Sequence, residues 1–273
     1  MKIINLIENT PGKCCPRFEH GLSFYVETTN HRLLIDTGAT DAFIENAKAL
    51  GVDLTTVDLL ILSHGHYDHS GGILAFAAMN PNATILMQKT ATGEYYHKDT
   101  EEERYIGIDK QILDLPQTKL IDGDMVIDDE ISIFTNVTGR KLWPSGNTVL
   151  KQKVEHSFIQ DAFAHEEYIV ITQKDKHVLI SGCAHNGILN ILEKYERLYG
   201  GAPDYVFSGF HMKKSGDYTE TEMQDICETG RELKKRPTVF YTGHCTGEPA
   251  YLLLKGQMGE QLHYCHSGDS CEI

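Results

Sequence analysis

The chain has 273 residues, 41% of them hydrophobic, so it can bury a substantial core as one large domain or two small ones. Its 25 basic and 39 acidic residues give a formal charge of -14, which makes bulk nucleic acid a disfavoured partner. Its apolar runs are far shorter than the roughly 20 residues that span a bilayer. With no secretory pattern and seven cysteines that form no Cys-x-x-Cys pair, a cytoplasmic protein without membrane insertion is expected.

The first third of the chain alternates predicted strands and helices, which cover residues 2–8, 22–28, 32–36, 41–50, 57–62, 73–79 and 84–87. The second and third strands are predicted to form a hairpin that turns at residues 29–31. Asp41 is expected to cap the first helix, and Gly51 is expected to end it. This alternation of strands and helices predicts the α/β class.

The stretch 89–116 is polar and predicts a solvated insertion, with a substrate lid as the alternative. The predicted strands and helices that follow it cover residues 118–121, 124–127, 131–135, 168–172, 178–181, 187–199, 205–207, 219–235 and 239–242. The sequence contains no repeat and no linker rich in Pro, Gly or Ser. A single domain over residues 1–273 is therefore expected.

Three histidines and an aspartate stand within six positions after the apolar run 59–62: His64, His66, Asp68 and His69. Imidazole is the commonest side-chain ligand for zinc and related metals, and a carboxylate adds an oxygen donor. In an extended segment His64 and His66 point to the same side, so they can converge on one ion. Past a sharp turn, Asp68 and His69 could meet a second ion. Catalytic zinc usually takes three protein ligands plus water, so further ligands must come from elsewhere.

Three later histidines, His185, His211 and His244, each follow a short apolar strand. The carboxyl ends of sheet strands are where α/β proteins collect functional groups. Small residues flank all three histidines and allow close approach to a shared centre. Cys183 and Cys245 lie within two residues of His185 and His244. We therefore expect these later segments to join the first cluster in one site.

With these motifs the chain resembles the metallo-β-lactamase superfamily, whose signature His-x-His-x-Asp-His stands here at residues 64–69. More narrowly, it resembles the subfamily of 7,8-dihydropterin-6-methyl-4-(β-D-ribofuranosyl)-aminobenzene-5'-phosphate synthase-like proteins. The blocks that carry the resemblance are residues 20–24, 34–38, 64–72, 182–188, 209–211 and 243–247. They span most of the chain.

The resemblance implies a four-layer αββα sandwich with a two-metal centre at one edge of the two sheets. By motif position, the first metal would be held by His64, His66 and His185, and the second by Asp68, His69 and His244. Many superfamily members carry a metal-bridging aspartate where this chain has Cys183. Either this cysteine contributes a thiolate or no bridging side chain exists. His156 and His165 are alternatives to His185 as the third ligand of the first metal.

The function that the resemblance implies is a metal-dependent hydrolase, in which two divalent ions activate water on a phosphoester or another phosphorylated small molecule. Zinc is the expected metal, although manganese and iron accept the same ligands. Asp68 would bind metal and orient the water, and His211 would donate a proton or stabilise an oxyanion. Lys213 and Lys214 could meet substrate phosphate or be plain surface residues.

Two other functions stay open. The subfamily name implies a non-hydrolytic synthase that couples a pterin alcohol to an aminobenzene ribosyl phosphate. A metal-binding redox or sensor protein is the other alternative, but redox relatives place a glutamate where His66 stands and carry a flavin-binding domain for which this chain has no room. Specificity would lie in segments such as 89–116 and 138–166, which carry no recognisable motif.

Overall fold

The computed structural model describes residues 1–273 and contains eighteen strands and six α-helices. The strands are β1 (Lys2–Ile7), β2 (Ser23–Glu27), β3 (Arg32–Ile35), β4 (Leu59–Leu62), β5 (Thr84–Gln88), β6 (Glu94–Lys98), β7 (Glu103–Tyr105), β8 (Thr118–Ile121), β9 (Met125–Val126), β10 (Ile131–Phe134), β11 (Leu150–Val154), β12 (Ser157–Gln160), β13 (Tyr168–Gln173), β14 (Lys176–Ile180), β15 (Tyr205–Phe207), β16 (Val239–Thr242), β17 (Leu262–Tyr264) and β18 (Ser270–Glu272). The helices are α1 (Ala42–Ala49), α2 (Tyr67–Ser70), α3 (Ile73–Met79), α4 (Ile188–Tyr199), α5 (Glu220–Lys234) and α6 (Glu248–Met258).

Most strands belong to two seven-stranded sheets. The first has the order β18-β1-β2-β3-β4-β5-β8, and its strands β3, β4, β5 and β8 are parallel. The second has the order β17-β16-β15-β14-β13-β10-β9, and its strands β14 to β17 are parallel. The carboxyl ends of neighbouring parallel strands lie at one edge of a sheet, and that edge is where the predicted ligands follow β4, β14 and β16.

The two sheets pack face to face with helices on their outer faces. The cluster between the sheets contains Phe24 and Ile61 from the first sheet and Ile171 and Phe207 from the second. A second cluster joins the first sheet to α1 and α3, and a third joins the second sheet to α4, α5 and α6. The layers therefore run helix, sheet, sheet, helix, and the predicted αββα sandwich is confirmed.

A smaller four-stranded sheet, with the order β12-β11-β6-β7, stands apart from the two large ones. Its strands β6 and β7 belong to the polar stretch 89–116 and pair with each other, and β6 also pairs with β11, more than fifty residues later, which forms a hairpin with β12. The buried residues Tyr95, Ile106, Leu150 and Phe163 form the apolar cluster beneath this sheet. The predicted insertion is therefore an ordered unit that combines two distant segments.

Most of the predicted starts and ends of helices and strands agree with the structure. Backbone hydrogen bonds close the hairpin between β2 and β3, and Gly51 adopts a φ of +72° just beyond α1. The prediction that Asp41 caps α1 through its side chain is wrong, because Asp41 stands at the N-cap without a side-chain cap hydrogen bond.

None of the helices combines the length and the apolar character that crossing a membrane requires.

His31 joins the two large sheets through ion pairs with Asp58 and Asp128. Burial lowers the pKa of His31, but hydrogen bonds and charge from the two carboxylates outweigh burial and raise that pKa above its ordinary value of 6.5. A group whose pKa is higher in the folded protein than in the unfolded chain stabilises the fold fully at pH values below its pKa in the unfolded chain. This stabilisation is lost as the pH rises through the pKa of the group in the folded protein. We expect His31→Gln to lower the free energy of unfolding by about 0.5–1 kcal/mol at pH 5, and by much less at pH 9.

Urea unfolding at the two pH values measures this difference. The matched control is His156→Gln, because His156 is exposed on the turn between β11 and β12 and takes part in no ion pair. An equal loss of stability for His31→Gln at both pH values would contradict an electrostatic contribution.

Candidate metal centre

Four strand ends bring the predicted site residues together. His64 follows β4 of the first sheet, and His185, His211 and His244 follow β14, β15 and β16 of the second. The two sheet edges approach closely at Gly182, where an added Cβ would lie 2.2 Å from Ser63 Oγ and 2.8 Å from His64 Nδ1. Only glycine leaves room for this approach, which explains the small residue before Cys183.

The three residues predicted for the first metal lie side by side and are buried. The ring centroids of His64 and His66 are 4.6 Å apart, and the ring of His185 lies 5.0 Å from His64 and 4.8 Å from His66. Burial lowers the pKa of each of the three imidazoles. All three are therefore neutral near pH 7, which is the form that binds a metal.

The three residues predicted for the second metal also meet. Potential ligand atoms of Asp68, His69, His244 and Cys183 lie within 4.8 Å of one another. Asp68 Oδ2 is 3.3 Å from His244 Nε2 and 3.7 Å from His69 Nε2. Burial raises the pKa of Asp68, but the neighbouring imidazoles outweigh burial and hold that pKa well below its ordinary range. The carboxyl group is therefore ionised and can serve as a ligand.

The hydrogen bonds of the imidazoles orient their lone pairs toward the centre. Three Nδ1 atoms bond to neighbouring oxygen atoms at 2.9 Å: His64 to Ser63 Oγ, His185 to Asn147 Oδ1 and His244 to Asn9 Oδ1. An amide oxygen can only accept, so His185 and His244 carry their proton on Nδ1 and a lone pair on Nε2. Four buried Nε2 atoms have no hydrogen-bond partner, those of His64, His66, His185 and His244. Buried lone pairs without donors fit a cation, so the residues present suit a metal.

Asp36 supports this arrangement through hydrogen bonds to the residues of the site. It was not predicted as a site residue, although it lies in residues 34–38, one of the blocks that carry the family resemblance. Its carboxylate accepts from Ser63 N, Ser63 Oγ and His69 Nδ1 at 2.7, 2.6 and 2.6 Å. Burial lowers the pKa of His69, but the charges of Asp36 and Asp68 outweigh burial and raise that pKa to about 9. Asp36 therefore fixes the orientation of His69 and, through the Ser63 hydroxyl, that of His64.

The two alternatives to His185 fit the first metal less well. His156 is exposed on the hairpin of β11 and β12. His165 is buried and forms a potential ligand group with His66 and Asp161. However, His165 Nδ1 already accepts from Gly65 N at 3.0 Å, and its Nε2 lies 3.1 Å from Asp161 Oδ2. The geometry therefore favours His185.

A cavity of about 370 Å³ opens onto these residues. Its floor includes His66, Asp68, Cys183 and His185, and its walls carry His97 and three cationic side chains, those of Arg104, Lys213 and Lys214. Lys214 is paired with Glu222 at 2.8 Å, whereas the exposed Lys213 has no ion-pair partner. Arg104 and His97 were not predicted at the site, because no strands were predicted for the small sheet that brings them to the cavity.

His211 and His20 line the same cavity. The ring of His211 lies 4.1 Å from that of His185, and its buried Nδ1 has no hydrogen-bond partner. His20 stacks on His244 at 5.1 Å, and its Nε2 is 3.4 Å from Asp68 Oδ2. Burial lowers the pKa of His20 to about 4 despite the charge of Asp68, so its imidazole is neutral. His20 is a further residue that the sequence analysis did not place at the site.

Two thiols lie beside the imidazoles. Cys183 Sγ is 3.2 Å from His69 Nε2, and Cys245 Sγ accepts from His211 N at 3.2 Å. Burial raises the pKa of Cys183 well above its ordinary value. Burial also raises the pKa of Cys245, but hydrogen bonds with Cys183 and His211 outweigh burial and bring that pKa well below the ordinary value. The two sulfur atoms are therefore coupled to each other and to the imidazoles around them.

Comparison with known proteins agrees with this geometry. Residues 16–148 match the family model described as metallo-beta-lactamase superfamily. A curated relative from Methanocaldococcus jannaschii, 7,8-dihydropterin-6-methyl-4-(beta-D-ribofuranosyl)-aminobenzene-5'-phosphate synthase, is 26% identical, with 98% of this chain and 95% of the relative covered. The crystal structure of a metal-dependent hydrolase of the beta-lactamase superfamily matches 100% of this chain and 99% of that one, at 28% identity and a TM-score of 0.83.

A more distant structure, zinc-bound PqqB from Methylobacterium extorquens, shares the fold at a TM-score of 0.59, with full coverage of both chains and 12% identity. The signature at residues 64–69, the αββα layers and these matches lead to the same assignment. The chain thus has the metallo-β-lactamase fold, its residues 16–148 match the model of that superfamily, and it is similar to a dihydropterin synthase along nearly its whole length.

Proposed function

We propose that the protein is a metal-dependent hydrolase that uses a dinuclear centre to activate water on a phosphoester or another phosphorylated small molecule. The observation that carries this proposal is the set of buried, unpartnered Nε2 atoms of His64, His66, His185 and His244. Two of these histidines, His66 and His185, line a cavity that also carries Arg104, Lys213 and Lys214. The similarity to a solved metal-dependent hydrolase over the full chain supports it.

The proposed ligands form two sets, His64, His66 and His185 for one ion and Asp68, His69 and His244 for the other. Divalent ions held in this way would lower the pKa of water toward neutrality and stabilise charge on the oxygens of an ester. Zinc is the proposed metal, because imidazole and carboxylate ligands suit it and the centre also holds a cysteine.

Asp68 and His211 are the proposed catalytic side chains. Asp68 is ionised and lines the cavity, so its carboxylate can accept a hydrogen bond from a water molecule and orient that water toward the substrate. His211 approaches the cavity from the end of β15, next to His185. From that side its imidazole can donate a proton to a leaving oxygen or stabilise a developing oxyanion.

The cavity walls suit a phosphorylated substrate. The whole chain carries a formal charge of -14, yet Arg104, Lys213 and Lys214 gather at the mouth of this cavity. A local cationic patch on an acidic protein attracts small anions and still repels long polyanions. Lys213 has no ion-pair partner in the protein, so it is the lysine best placed to bind phosphate.

We expect Lys213→Met to raise KM for a phosphorylated substrate by roughly tenfold, because a charge-assisted hydrogen bond contributes about 1.5 kcal/mol. The value of kcat should change little, since the phosphate contact is made in both the ground state and the transition state. Steady-state kinetics measure both constants. Lys234→Met on α5 is the matched control, an exposed lysine outside the cavity. Equal effects of the two substitutions on KM would contradict a role for Lys213 in phosphate binding.

The curated relative favours a second candidate, a non-hydrolytic synthase that joins a pterin to an aminobenzene ribosyl phosphate. The observation behind it is the similarity to that synthase, which extends over 98% of this chain. The cationic walls would also serve this substrate, because it carries a phosphate. The two candidates differ in the reaction at the centre.

Metal analysis followed by two substrate panels separates these functions. We expect purified protein to contain zinc and to hydrolyse at least one of a series of phosphomonoesters and phosphodiesters. Condensation of a pterin alcohol with an aminobenzene ribosyl phosphate, without any phosphoester hydrolysis, would support the synthase. Full phosphoesterase activity in protein freed of metal would overturn the proposed function.

A further inference from the structure

Cys183 is the residue shared by the potential ligand groups of the centre. Its Sγ lies within 4.8 Å of ligand atoms of Asp68, His69 and His244 in one group. It lies within the same distance of His64 and His185 in another. The first group contains all three ligands proposed for one ion, the second contains two of the three proposed for the other, and Cys183 is the one side chain that belongs to both.

Several imidazole nitrogens surround this sulfur, and His69 Nε2 lies within hydrogen-bond distance of it at 3.2 Å. Cys183 is 3% exposed, so water does not compensate its burial. The Nε2 atoms of His64, His185 and His244 lack partners, and the protons of His185 and His244 are on Nδ1, toward Asn147 and Asn9. A sulfur and several nitrogen lone pairs in one buried space repel each other unless a cation lies among them.

We infer that the Cys183 thiolate is a metal ligand shared by the two ion positions, and that it makes the centre select zinc over manganese. The inference rests on the metal centre of the proposed function and does not depend on the reaction. Thiolate is a soft ligand that favours zinc and cobalt, whereas manganese prefers oxygen ligands. A carboxylate at this position would remove that preference.

Cys245 is the rival thiolate, and its contacts differ. Its Sγ accepts from His211 N and lies 3.5 Å from the Cys183 carbonyl oxygen. It shares a potential ligand group with Cys183 and His211, but with none of the six proposed histidine and aspartate ligands. The backbone of Gly209 makes room for it, since an added Cβ there would lie 2.3 Å from Cys245 Sγ. Cys245 is therefore placed to position His211.

Cobalt substitution tests the assignment without reference to activity. Metal-free protein is loaded with Co²⁺ and examined for near-ultraviolet sulfur-to-cobalt charge-transfer absorption. We expect the band in the wild type, in Cys245→Ser and in the control Cys227→Ser on α5, and its loss in Cys183→Ser. When zinc and manganese compete for the site, Cys183→Asp should still bind metal. The ratio of its affinity for zinc to its affinity for manganese should be lower than that of the wild type by roughly tenfold or more.

The outcomes separate this inference from the proposed function. If cobalt binds the wild type without a charge-transfer band, the inference that the Cys183 thiolate is a ligand is overturned, while the proposal of a metal centre stands. A band that persists in Cys183→Ser and disappears in Cys245→Ser would overturn it in favour of the other thiol. Failure of the wild type to bind cobalt, zinc or manganese would overturn both proposals. If the Cys183 variants do not fold, a band retained in Cys245→Ser supports the inference, because Cys183 is then the one thiol within reach of the imidazoles.

Discussion

Replacing His64 and His66 together by alanine is expected to abolish metal binding at the centre and to reduce activity by roughly a thousandfold or more, because a bound ion supplies several kcal/mol of transition-state stabilisation. Both imidazoles are buried and direct an unpartnered Nε2 atom into the site. Their removal leaves His185 as the sole imidazole of the first proposed set, too few ligands for catalytic zinc. Elemental analysis of the purified variant and turnover on the best phosphoester measure the two effects.

The matched control for this variant is a second double substitution, His156→Ala with His263→Ala. His156 is exposed, and His263 lies on β17 outside the potential ligand groups. This control should keep the metal content and the activity of the wild type. Full metal content in the His64 and His66 variant would show that the ligands lie elsewhere.

Asp36→Asn is expected to lower the free energy of unfolding by about 3 kcal/mol, because it removes the charge from a fully buried ion pair with His69. The same substitution should weaken metal binding by roughly 10- to 100-fold, as the loss of partners that orient ligands does in other metal sites. The amide nitrogen of asparagine would donate to His69 Nδ1 and move the imidazole proton to Nε2. The lone pair would then point away from the centre.

Urea unfolding of the metal-free protein and competition with a chelator measure these two changes separately. Asp41→Asn serves as the control, since Asp41 is exposed at the start of α1 and its side chain makes no cap hydrogen bond. Unchanged metal affinity in Asp36→Asn would mean that His69 does not depend on this carboxylate for its orientation.

Local signals explain how much of the site could be predicted from the sequence. His64, His66, Asp68 and His69 are neighbours in the chain, and the strand before them is apolar throughout. The later histidines were recognised because each follows a short apolar strand with small residues beside it. The α/β class could also be predicted, because strands and helices alternate along the chain. The αββα layers were implied by the resemblance to the superfamily.

The features that were not predicted depend on distant contacts. Strand β7 is exposed at every residue, so no alternation of apolar and polar residues marks it, and β11 finds its partner β6 more than fifty residues earlier. Helix α6 was not among the predicted helices, which end at residue 235. The amides that orient the imidazoles, Asn147 and Asn9, act over 38 and 235 residues, and no local pattern signals such hydrogen bonds.

The start of the chain holds the last proposed ligand in place. Glu8, just after β1, accepts the backbone N–H of His244 at 3.0 Å, across 236 residues of sequence, and β18 pairs with β1 beside it. During synthesis the amino-terminal strand must therefore wait for nearly the whole chain before its sheet and the second ion position can close. Long-range pairing of this kind slows folding. Metal loading of the proposed second position would therefore be a late step in maturation, after the segment that carries His244 has left the ribosome.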